Sequence, residues 1–396
     1  MNGRLSMNKE KFLDLGKQPI ANGFLTEDEF DEEFFYPLSV GFDKDTCLVT
    51  HMDYVDPKIM FNENYAYRGS MSKTMRNHFS TFSNELKTVL PSNPKVLEIG
   101  SNDGVFLTNW NKDTTIAVEP CGNFAKETNG IGYETFHDFW NETTSAKILE
   151  KHGKMDLIFA ANCICHIPDL DSVFRSVESL LSEDGLFVFE DPSLAEVINL
   201  NSYDQIYDEH PHVFSVIALN NILSRNGLSV VRVDNTPVHG GSNRLWVKKA
   251  SSSNPDKSVE NNIDIEKVMG LDKISTFTRF ARRVYDSKLS LLSILSACRN
   301  NNKKVISYGA TSKSTTIFNY CDIGTELIQY ITDTTPEKQD KFSPGTHLPI
   351  IPPEKGFNES VDFAFLGAWN FAQEIKNKEK DFKGKFITHV PTVRFL

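Results

Sequence analysis

The chain has 396 residues, which corresponds to two or three domains of about 100–200 residues each. Its 42 basic and 53 acidic residues give a formal net charge of −11, and hydrophobic residues make up 39% of the chain. This globular composition disfavours a sequence-independent nucleic-acid binder, whose affinity depends on a basic surface. Because no stretch has the apolar length of a signal peptide or a membrane span, we expect a protein of the cytoplasm without a membrane partner.

Three regions of the chain differ in their patterns. Residues 1–75 have short apolar runs broken by turn formers, which predicts a small module of strands and loops. Residues 76–250 alternate short apolar runs with helix-period segments, so we expect a largely parallel sheet covered by helices. Residues 251–396 start with a polar stretch at 251–262, predicted as a linker, followed by a helix over 263–300 and a second α/β pattern.

The six cysteines are scattered and form one C-x-C but no C-x-x-C: Cys47, Cys121, Cys163, Cys165, Cys298 and Cys321. This pattern predicts neither a disulfide framework nor a zinc clip. We therefore expect most of these thiols to be small buried hydrophobic side chains.

The most informative stretch is the strand–turn–helix pattern KVLEIGSNDGVFL. Gly100 and Gly104 allow the backbone to approach a ligand closely, and Glu119, at the end of the next predicted strand, can accept both hydroxyls of a ribose. Dinucleotide sites and S-adenosylmethionine sites both use such an acid. The loop lacks the third glycine of G-x-G-x-x-G, and its acids Glu98 and Asp103 suit a cationic sulfonium better than a pyrophosphate.

We therefore predict a class I, Rossmann-like methyltransferase domain that binds S-adenosylmethionine, with a domain whose glycine turn binds nothing as the alternative. The predicted donor-binding residues are Glu98, Gly100, Asn102, Asp103, Gly104, Glu119, Pro120, Asn123 and Asn162. The carboxyl ends of the strands meet at one edge of such a sheet, so Gly100, Glu119, Asn162 and Glu190 should surround one crevice. His166 should lie beside it, either in the substrate pocket or as a satisfied structural residue.

A second dense group of polar residues occurs in DQIYDEHPHVFS, where Tyr207, Glu209, His210 and His212 fall within six residues. A His beside a carboxylate is a candidate general base, because its unperturbed pKa lies near neutrality. His212 follows Pro211 and also has a purely structural interpretation.

The segment HGGSNR is a further candidate for substrate contact. Two glycines after His239 allow close approach of the backbone, and Arg244 could neutralise a phosphate. Arg68 and Lys313 are other candidates for phosphate binding, although a lone Arg or Lys is as often a solvated surface side chain.

With these motifs together, the chain resembles the sugar C-methyltransferases of the deoxysugar and nucleotide-sugar pathways. The resemblance runs nearly end to end, through FLDLGKQPIANGFL, NYAYRGSMS, LEIGSNDGVFL, IAVEPCGNFA, IYDEHPHVFS, HGGSNR, GATSKSTTIFNY, DTTPEKQDKFSPGTHLPI and AWNFAQEI. It implies three domains: a small N-terminal module that usually binds zinc, a central S-adenosylmethionine domain, and a C-terminal Rossmann-like domain that helps to hold the nucleotide.

The chain departs from its relatives at the zinc ligands. The first cysteine pair has no counterpart in residues 1–12, and Asp43 and Thr46 stand where the later thiolates would be. Because structural zinc needs about four ligands, we predict no zinc and no other metal. The module should then depend on packing, with Phe24, Phe35, Tyr36, Leu38 and Phe42 as its expected core. Two smaller departures are Asp208, where relatives commonly have His, and GATSKST in place of GA-x-x-KG.

The resemblance implies a nucleotide-linked 4-keto-6-deoxysugar, carried by dTDP or GDP and methylated at carbon 3. It implies His210 as the base at that carbon, with Glu209 orienting it or tuning its pKa. Tyr207 and one of the pair Tyr65 and Tyr67 would hydrogen-bond the sugar or the developing oxyanion. The substrate-binding candidates are Arg68, His166, His239, Ser242, Arg244 and Lys313.

Three other functions stay open at this point. The chain could methylate a sugar oxygen or nitrogen, it could methylate another sugar carbon, or it could be a non-catalytic scaffold that kept the fold. The sequence gives no indication of the oligomeric state.

Overall fold

The N-terminal module is a small antiparallel sheet. The computed structural model describes residues 8–396, so residues 1–7 of the predicted module lie outside the described residues. The module contains β1 (Lys9–Pro19), β2 (Phe35–Asp43), β3 (Val49–His51) and the short helix α1 (Pro57–Met60). The three strands pair in this order, and residues 212–213 of the central region add a fourth strand beside β3.

The central region alternates helices and strands around one seven-stranded sheet. Its elements are α2 (Lys73–Val89), β4 (Val96–Ile99), β5 (Thr115–Val118), α3 (Gly122–Gly130), β6 (Glu134–Phe136), α4 (Glu142–His152), β7 (Met155–Ala161), α5 (Leu170–Leu180), β8 (Leu181–Pro192), α6 (Leu194–Leu200), β9 (His212–Val213), α7 (Val216–Arg225), β10 (Leu228–Thr236), β11 (Ser242–Lys249) and α8 (Lys257–Met269). The order is β10-β11-β8-β7-β4-β5-β6, and β11 alone is antiparallel to its neighbours. The expected largely parallel sheet is confirmed.

The central strands are continuous apolar runs because helices cover both faces of the sheet. Leu97 and Ile158 belong to a hydrophobic cluster with α5 and α7 on one face. Val96 and Leu157 belong to a second cluster with α2 on the other face. The carboxyl ends of β4, β5 and β7 are thereby fixed at one edge, where the loops that follow them can build a site.

The C-terminal region has its own six-stranded sheet, so the expected Rossmann-like arrangement is confirmed. Its elements are α9 (Ile274–Asn300), β12 (Val305–Tyr308), α10 (Ser312–Cys321), β13 (Ile331–Thr332), β14 (Ile350–Ile351), α11 (Pro353–Gly356), β15 (Phe363–Leu366), α12 (Ala372–Lys378), β16 (Lys385–Thr388) and β17 (Arg394–Phe395). The order is β14-β13-β12-β15-β16-β17, parallel except for β17. No helix among the described residues is both long and apolar enough to cross a membrane.

The expected linker and long helix are wrong in detail. Helix α8 already begins within the predicted linker, and it ends at Gly270, whose φ of +76° is left-handed. Glu266 of α8 accepts hydrogen bonds from the N–H groups of Val216 (2.8 Å) and Ile217 (2.9 Å), the first residues of α7. These N–H groups have no partner within their own helix, and Glu266 supplies one. The bonds hold α8 against the central region, and α8 is a helix separate from α9.

The N-terminal module shares its core with α9. The ring of Phe277 lies 5.1 Å from Phe12 and 5.0 Å from Phe42, measured between centroids. Four of the five predicted core residues are buried: Phe24, Tyr36, Leu38 and Phe42. Phe35 is 43% exposed, because it begins β2 on the face opposite to Tyr36. Packing against the C-terminal region thus completes a core that the small module could not bury alone.

Candidate active site

Two neighbouring cavities lie where the carboxyl ends of the central strands face the C-terminal region. The sheet-edge cavity, about 480 Å³, is lined by residues at or just after the carboxyl ends of β4, β5 and β7, among them Glu98, Gly100, Asn102, Glu119 and Asn162. The interdomain cavity, about 380 Å³, is lined from both regions by residues that include Asn22, Tyr207, Glu209, His210, Lys313 and Lys338. Both cavities are lined by Tyr65, Tyr67, Asn162 and His166. The two spaces therefore share a wall.

The glycine turn after β4 requires glycine at position 100. Gly100 has a φ of +71°, and a Cβ there would lie 2.9 Å from Cβ of Cys163. Glu119 accepts hydrogen bonds from the backbone N–H groups of Asn102 (2.6 Å) and Cys121 (2.8 Å). Because these N–H groups belong to the loops after β4 and β5, the Glu119 carboxylate joins the two loops at the wall of the sheet-edge cavity.

Two buried carboxyl groups give the sheet-edge cavity its electrostatic character. Glu98 and Glu119 are each 4% exposed. Burial raises the pKa of both; the charge of Glu119 adds to the rise at Glu98, whereas backbone hydrogen bonds oppose it at Glu119. Buried carboxylates are stabilised by positive charge and by hydrogen-bond donors, so this cavity favours a cationic ligand that carries hydroxyl groups.

The segment 65–70 is held against the glycine loop. The side chain of Asn102 donates to the carbonyl oxygen of Tyr67 at 2.9 Å. The side chain of Asn123 donates to the carbonyl oxygen of Tyr65 at 3.2 Å. These two bonds set the backbone of both tyrosines at the wall that the cavities share.

Six of the nine predicted donor-binding residues line the sheet-edge cavity: Glu98, Gly100, Asn102, Glu119, Pro120 and Asn162. Asp103, Gly104 and Asn123 are not part of its wall. Asp103 instead accepts a hydrogen bond from the N–H of Ser70 (3.1 Å), and Gly104 donates to the carbonyl oxygen of Ser101 (2.9 Å). Asp103 and Gly104 thus make hydrogen bonds within and beside the loop whose other residues line the cavity.

His210 and Tyr207 form a hydrogen-bonded pair on the wall of the interdomain cavity. Nδ1 of His210 lies 2.8 Å from the carbonyl oxygen of Gln205, and Nε2 lies 2.8 Å from the Tyr207 hydroxyl. A carbonyl oxygen can only accept, so Nδ1 carries the proton and Nε2 holds a lone pair. Burial, with His166 as a smaller cause, lowers the pKa of His210 well below its ordinary value. The imidazole is therefore neutral and can take a proton at Nε2.

Glu209, which the resemblance implies to orient His210 or to tune its pKa, makes its hydrogen bonds to other residues. Its Oε1 accepts from Nδ2 of Asn22 at 2.5 Å, and its Oε2 accepts from the Tyr65 hydroxyl at 2.7 Å. Gln205 orients His210 instead, and it does so through its backbone, which leaves no signal in the side-chain pattern. The two tyrosines between which the sequence does not decide both line both cavities, and Tyr65 in addition donates to the Glu209 carboxylate.

The C-terminal wall of the interdomain cavity carries positive charge. Lys313 lies in the first turn of the ten-residue helix α10. Lys338 donates to the carbonyl oxygen of Ala310, in the loop before that helix, at 2.7 Å. Arg68 reaches the cavity from the segment 65–70 and pairs with Glu127 at 2.8 Å. Lysines beside a helix N-terminus favour an anionic group.

Asp333 repeats in the C-terminal sheet the arrangement of Glu119. It follows β13 and accepts hydrogen bonds from the N–H groups of Ala310 (2.7 Å) and Thr335 (2.8 Å). Glu119 joins the loop after β4 to the loop after β5, and Asp333 joins the loop after β12 to the loop after β13. The negative charge of Asp333 is thus directed at backbone donors.

Arg244 and Ser242, both predicted to contact the substrate, line neither cavity. Nε of Arg244 pairs with Glu190 at 2.9 Å, and its guanidinium lies 3.6 Å from the ring centre of Phe82. Glu190, which was expected at the crevice, also contacts Nε2 of His78 at 2.7 Å. The Ser242 hydroxyl donates to a backbone carbonyl oxygen at 3.2 Å. Ser242 and Arg244 are not part of either cavity wall because they lie in the buried part of strand β11 and not in a loop.

The other four predicted substrate residues all line the interdomain cavity: Arg68, His166, His239 and Lys313. His212 has the structural interpretation: its Nδ1 lies 3.0 Å from the Thr50 hydroxyl and its Nε2 lies 3.2 Å from the carbonyl oxygen of Ile167. It fastens the central region to the N-terminal sheet.

The residues of the N-terminal module do not fit a zinc ion. The Thr46 hydroxyl donates to the Asp43 carboxylate, which also accepts from the N–H of Thr46 at 3.2 Å. Cys47 is the single cysteine between residues 8 and 61. Within the described part of the chain, one group of three possible metal ligands lies close together, and it is outside this module: Cys165, His166 and His210.

The strand order, the glycine turn and the acid after the second strand define a class I methyltransferase that uses S-adenosylmethionine. Family comparisons agree. Residues 67–233 match a methyltransferase domain, residues 237–391 match the C-methyltransferase C-terminal domain, and residues 5–61 match a zinc binding domain.

The chain belongs to the C-methyltransferases. It is 30% identical over 393 residues to the C-methyltransferase NovU of Streptomyces niveus, a match that covers 97% of this chain and 93% of that protein. Solved structures are similar over a smaller part. An S-adenosylmethionine-dependent methyltransferase from Clostridium acetobutylicum (TM-score 0.34, 14% identity) covers 44% of this chain and 92% of its own. A possible histamine N-methyltransferase from Thermotoga maritima (TM-score 0.34, 15% identity) covers 44% of this chain and 90% of its own.

Proposed function

We propose that this C-methyltransferase transfers a methyl group from S-adenosylmethionine to carbon 3 of a nucleotide-linked 4-keto-6-deoxysugar. One observation carries the proposal: the sheet-edge cavity and the interdomain cavity share Tyr65, Tyr67, Asn162 and His166. A methyl donor in the first cavity and a sugar in the second would meet at this common wall, as direct transfer requires. The second cavity, about 380 Å³, has the size of a small-molecule site.

The ketone of such a sugar makes carbon methylation possible near neutral pH. It acidifies the C–H bond at carbon 3, and the electron pair that the proton leaves behind is delocalised onto the ketone oxygen as an enolate. Nε2 of the neutral His210 takes the proton. Carbon 3 then bonds to the methyl carbon while the carbon–sulfur bond breaks, and its electron pair returns to sulfur, which becomes a neutral thioether.

Tyr207 is the hydrogen-bond donor in this proposal, and Tyr65 is an acceptor. The Tyr207 hydroxyl is hydrogen-bonded to Nε2 of His210. It therefore turns toward the sugar before the base acts and then donates to the developing oxyanion. Burial, with the charge of Glu209 as a second cause, raises the pKa of Tyr65 well above its ordinary value. Tyr65 therefore stays a neutral phenol, whose one proton is donated to Glu209 and whose oxygen can accept from a hydroxyl of the sugar.

The nucleotide diphosphate would bind at the C-terminal wall. Lys313, Lys338 and Arg68 line the same cavity as the His210 pair, so the phosphates and the reacting carbon can be held in one space. This distribution supports an anionic carrier on the sugar despite the negative charge of the whole chain.

The test is a screen of dTDP-, GDP- and CDP-linked 4-keto-6-deoxysugars with S-adenosylmethionine, read by mass spectrometry and NMR. We expect one carrier to gain a single methyl group bonded to carbon 3. A methyl group on oxygen or nitrogen, or on another carbon, would overturn that part of the proposal. No product, together with no thermal stabilisation by S-adenosylmethionine, would favour a non-catalytic scaffold.

A further inference from the structure

The carboxylate of Glu209 is held by two donors from different parts of the chain. Nδ2 of Asn22, in the N-terminal module, lies 2.5 Å from Oε1, and the Tyr65 hydroxyl lies 2.7 Å from Oε2. Glu209 is 2% exposed, and Asn22, Tyr65 and Glu209 all line the interdomain cavity. Each carboxylate oxygen thus has one donor, and the donor from the module is a residue for which the sequence gives no role.

The turn that carries Asn22 is itself fixed at both sides. The N–H of Ala21 donates to Asp208 at 3.0 Å, and the carbonyl oxygen of Ala21 accepts from the Thr315 hydroxyl of α10 at 3.1 Å. The turn therefore bridges the loop that contains Glu209 and the helix on the opposite wall. Asn22 cannot move relative to Glu209 without breaking these backbone contacts.

We propose that Asn22 is a positioning residue of the active site: it fixes the Glu209 carboxylate so that Glu209, which accepts the Tyr65 proton, in turn holds the Tyr65 oxygen where it accepts a hydrogen bond from a hydroxyl of the sugar. The inference rests on the proposed function, because it assigns the interdomain cavity to the sugar. It also gives a reason for the N-terminal module to be retained without zinc ligands. The module contributes a hydrogen bond to the reaction site, and its core is completed by α9.

The charges around Glu209 decide how a change at position 22 would act. Burial raises the pKa of Glu209, while the hydrogen bonds from Tyr65 and Asn22 and the charges of Lys338 and Lys313 oppose the rise. The other titratable groups that face it are acidic or phenolic, with one thiol: Asp208, Tyr36, Tyr65, Tyr67, Tyr207 and Cys121. Lys338 and Lys313 thus act to lower the pKa of Glu209, and a new negative charge at position 22 would oppose them.

The experiment compares Asn22→Asp with the wild-type enzyme across pH, using the keto sugar found in the screen. The substitution keeps the size of the side chain but places a second carboxylate against Oε1, and two carboxylates so close share one proton. We expect kcat at neutral pH to fall at least about tenfold and the acid limb of its pH profile to move up by about one pH unit. The KM for S-adenosylmethionine should stay the same. Asn22→Ala, which only removes the donor, should move the limb less.

Two controls separate positioning from general damage. Asn64→Asp makes the same chemical change at an exposed asparagine, and it should leave kcat and the pH profile unchanged. In the double variant Asn22→Asp/Glu209→Gln, the amide at position 209 can donate to the carboxylate at position 22, which reverses the wild-type hydrogen bond. The double variant should melt at a higher temperature than Glu209→Gln alone, with a kcat that is no lower. Asn22→Asp by itself should melt at a lower temperature than the wild type.

A wild-type pH profile and kcat in Asn22→Asp, or the same effect of Asn22→Asp with and without Glu209→Gln, would overturn the inference. Failure of the proposed function looks different. The wild type would then methylate no keto sugar, while the opposite changes in melting temperature would still be measured. In that case the hydrogen bond exists but the positioning role is refuted.

Discussion

Arg244→Met would leave Glu190 as a carboxylate in the core without its guanidinium partner. Glu190 is fully buried, and Arg244, 7% exposed, pairs with it at 2.9 Å. Removing one member of a buried ion pair costs about 3–5 kcal/mol, because the remaining charge stays buried. Nε2 of His78 also lies 2.7 Å from Glu190, and the substitution does not remove this second partner, so we expect the lower end, about 3 kcal/mol.

The loss should depend on pH. Burial acts to raise the pKa of Glu190, but His78 and Arg244 outweigh it and hold the pKa below its ordinary value. A carboxyl group of lowered pKa contributes stability that is present above its unfolded pKa and is lost as the pH falls through its folded pKa. The difference in the free energy of unfolding between wild type and variant should therefore be largest at neutral pH and become smaller in the acid range.

The assay is urea unfolding followed by tryptophan fluorescence at neutral and acid pH. Arg225→Met, at an exposed arginine, is the matched control and should cost less than about 1 kcal/mol. Adding Glu190→Gln to Arg244→Met should recover most of the loss, because no buried charge remains. A variant as stable as the wild type, with a KM for the nucleotide sugar raised about tenfold, would refute the reasoning and return Arg244 to the phosphate-binding role that the sequence suggests.

Three further results are expected. Phe277→Ala should destabilise the protein by about 3–5 kcal/mol in urea unfolding, because it removes a fully buried ring of α9 that packs against the N-terminal module. A loss below about 1 kcal/mol would contradict the shared core. Treatment with EDTA should leave the melting temperature unchanged, since Asp43 and Thr46 hydrogen-bond each other; a clear fall would reveal a structural metal. Glu119→Ala should raise the Kd for S-adenosylmethionine about tenfold or more in calorimetry, and an unchanged Kd would contradict the assignment of the sheet-edge cavity to the donor.

The parts of the site that the sequence predicts are local. The glycine turn and Glu119 follow from a strand, a turn and the end of the next strand, and a parallel sheet brings such ends together whatever lies elsewhere in the chain. Tyr207 and His210 also lie within four residues, but there the sequence points to Glu209 as the group that orients His210, whereas the structure shows Tyr207 and Gln205 on its ring nitrogens. Spacing along the sequence is therefore enough to predict proximity in space, but not which groups form hydrogen bonds.

The features that the sequence does not predict depend on distant contacts or on backbone atoms. Asn22 and Glu209 are 187 residues apart, and nothing in either segment indicates that they meet. Gln205 acts through its carbonyl oxygen, so its side chain gives no signal. The positive charge of Arg244 makes it a candidate for phosphate binding, but it lies on a strand whose partner, β8, presents Glu190 directly opposite. Charge alone does not distinguish a phosphate ligand from an internal counter-ion.

The most direct measurement of the central claim is deuterium exchange into the sugar. The enzyme is incubated in heavy water with the 4-keto sugar found in the screen and with S-adenosylhomocysteine in place of the methyl donor. The account predicts that deuterium enters carbon 3, and that His210→Asn abolishes both this exchange and methyl transfer while S-adenosylmethionine still binds. A wild-type enzyme that methylates the sugar without exchange at a carbon beside the ketone, or a His210→Asn variant that exchanges at the wild-type rate, would contradict it.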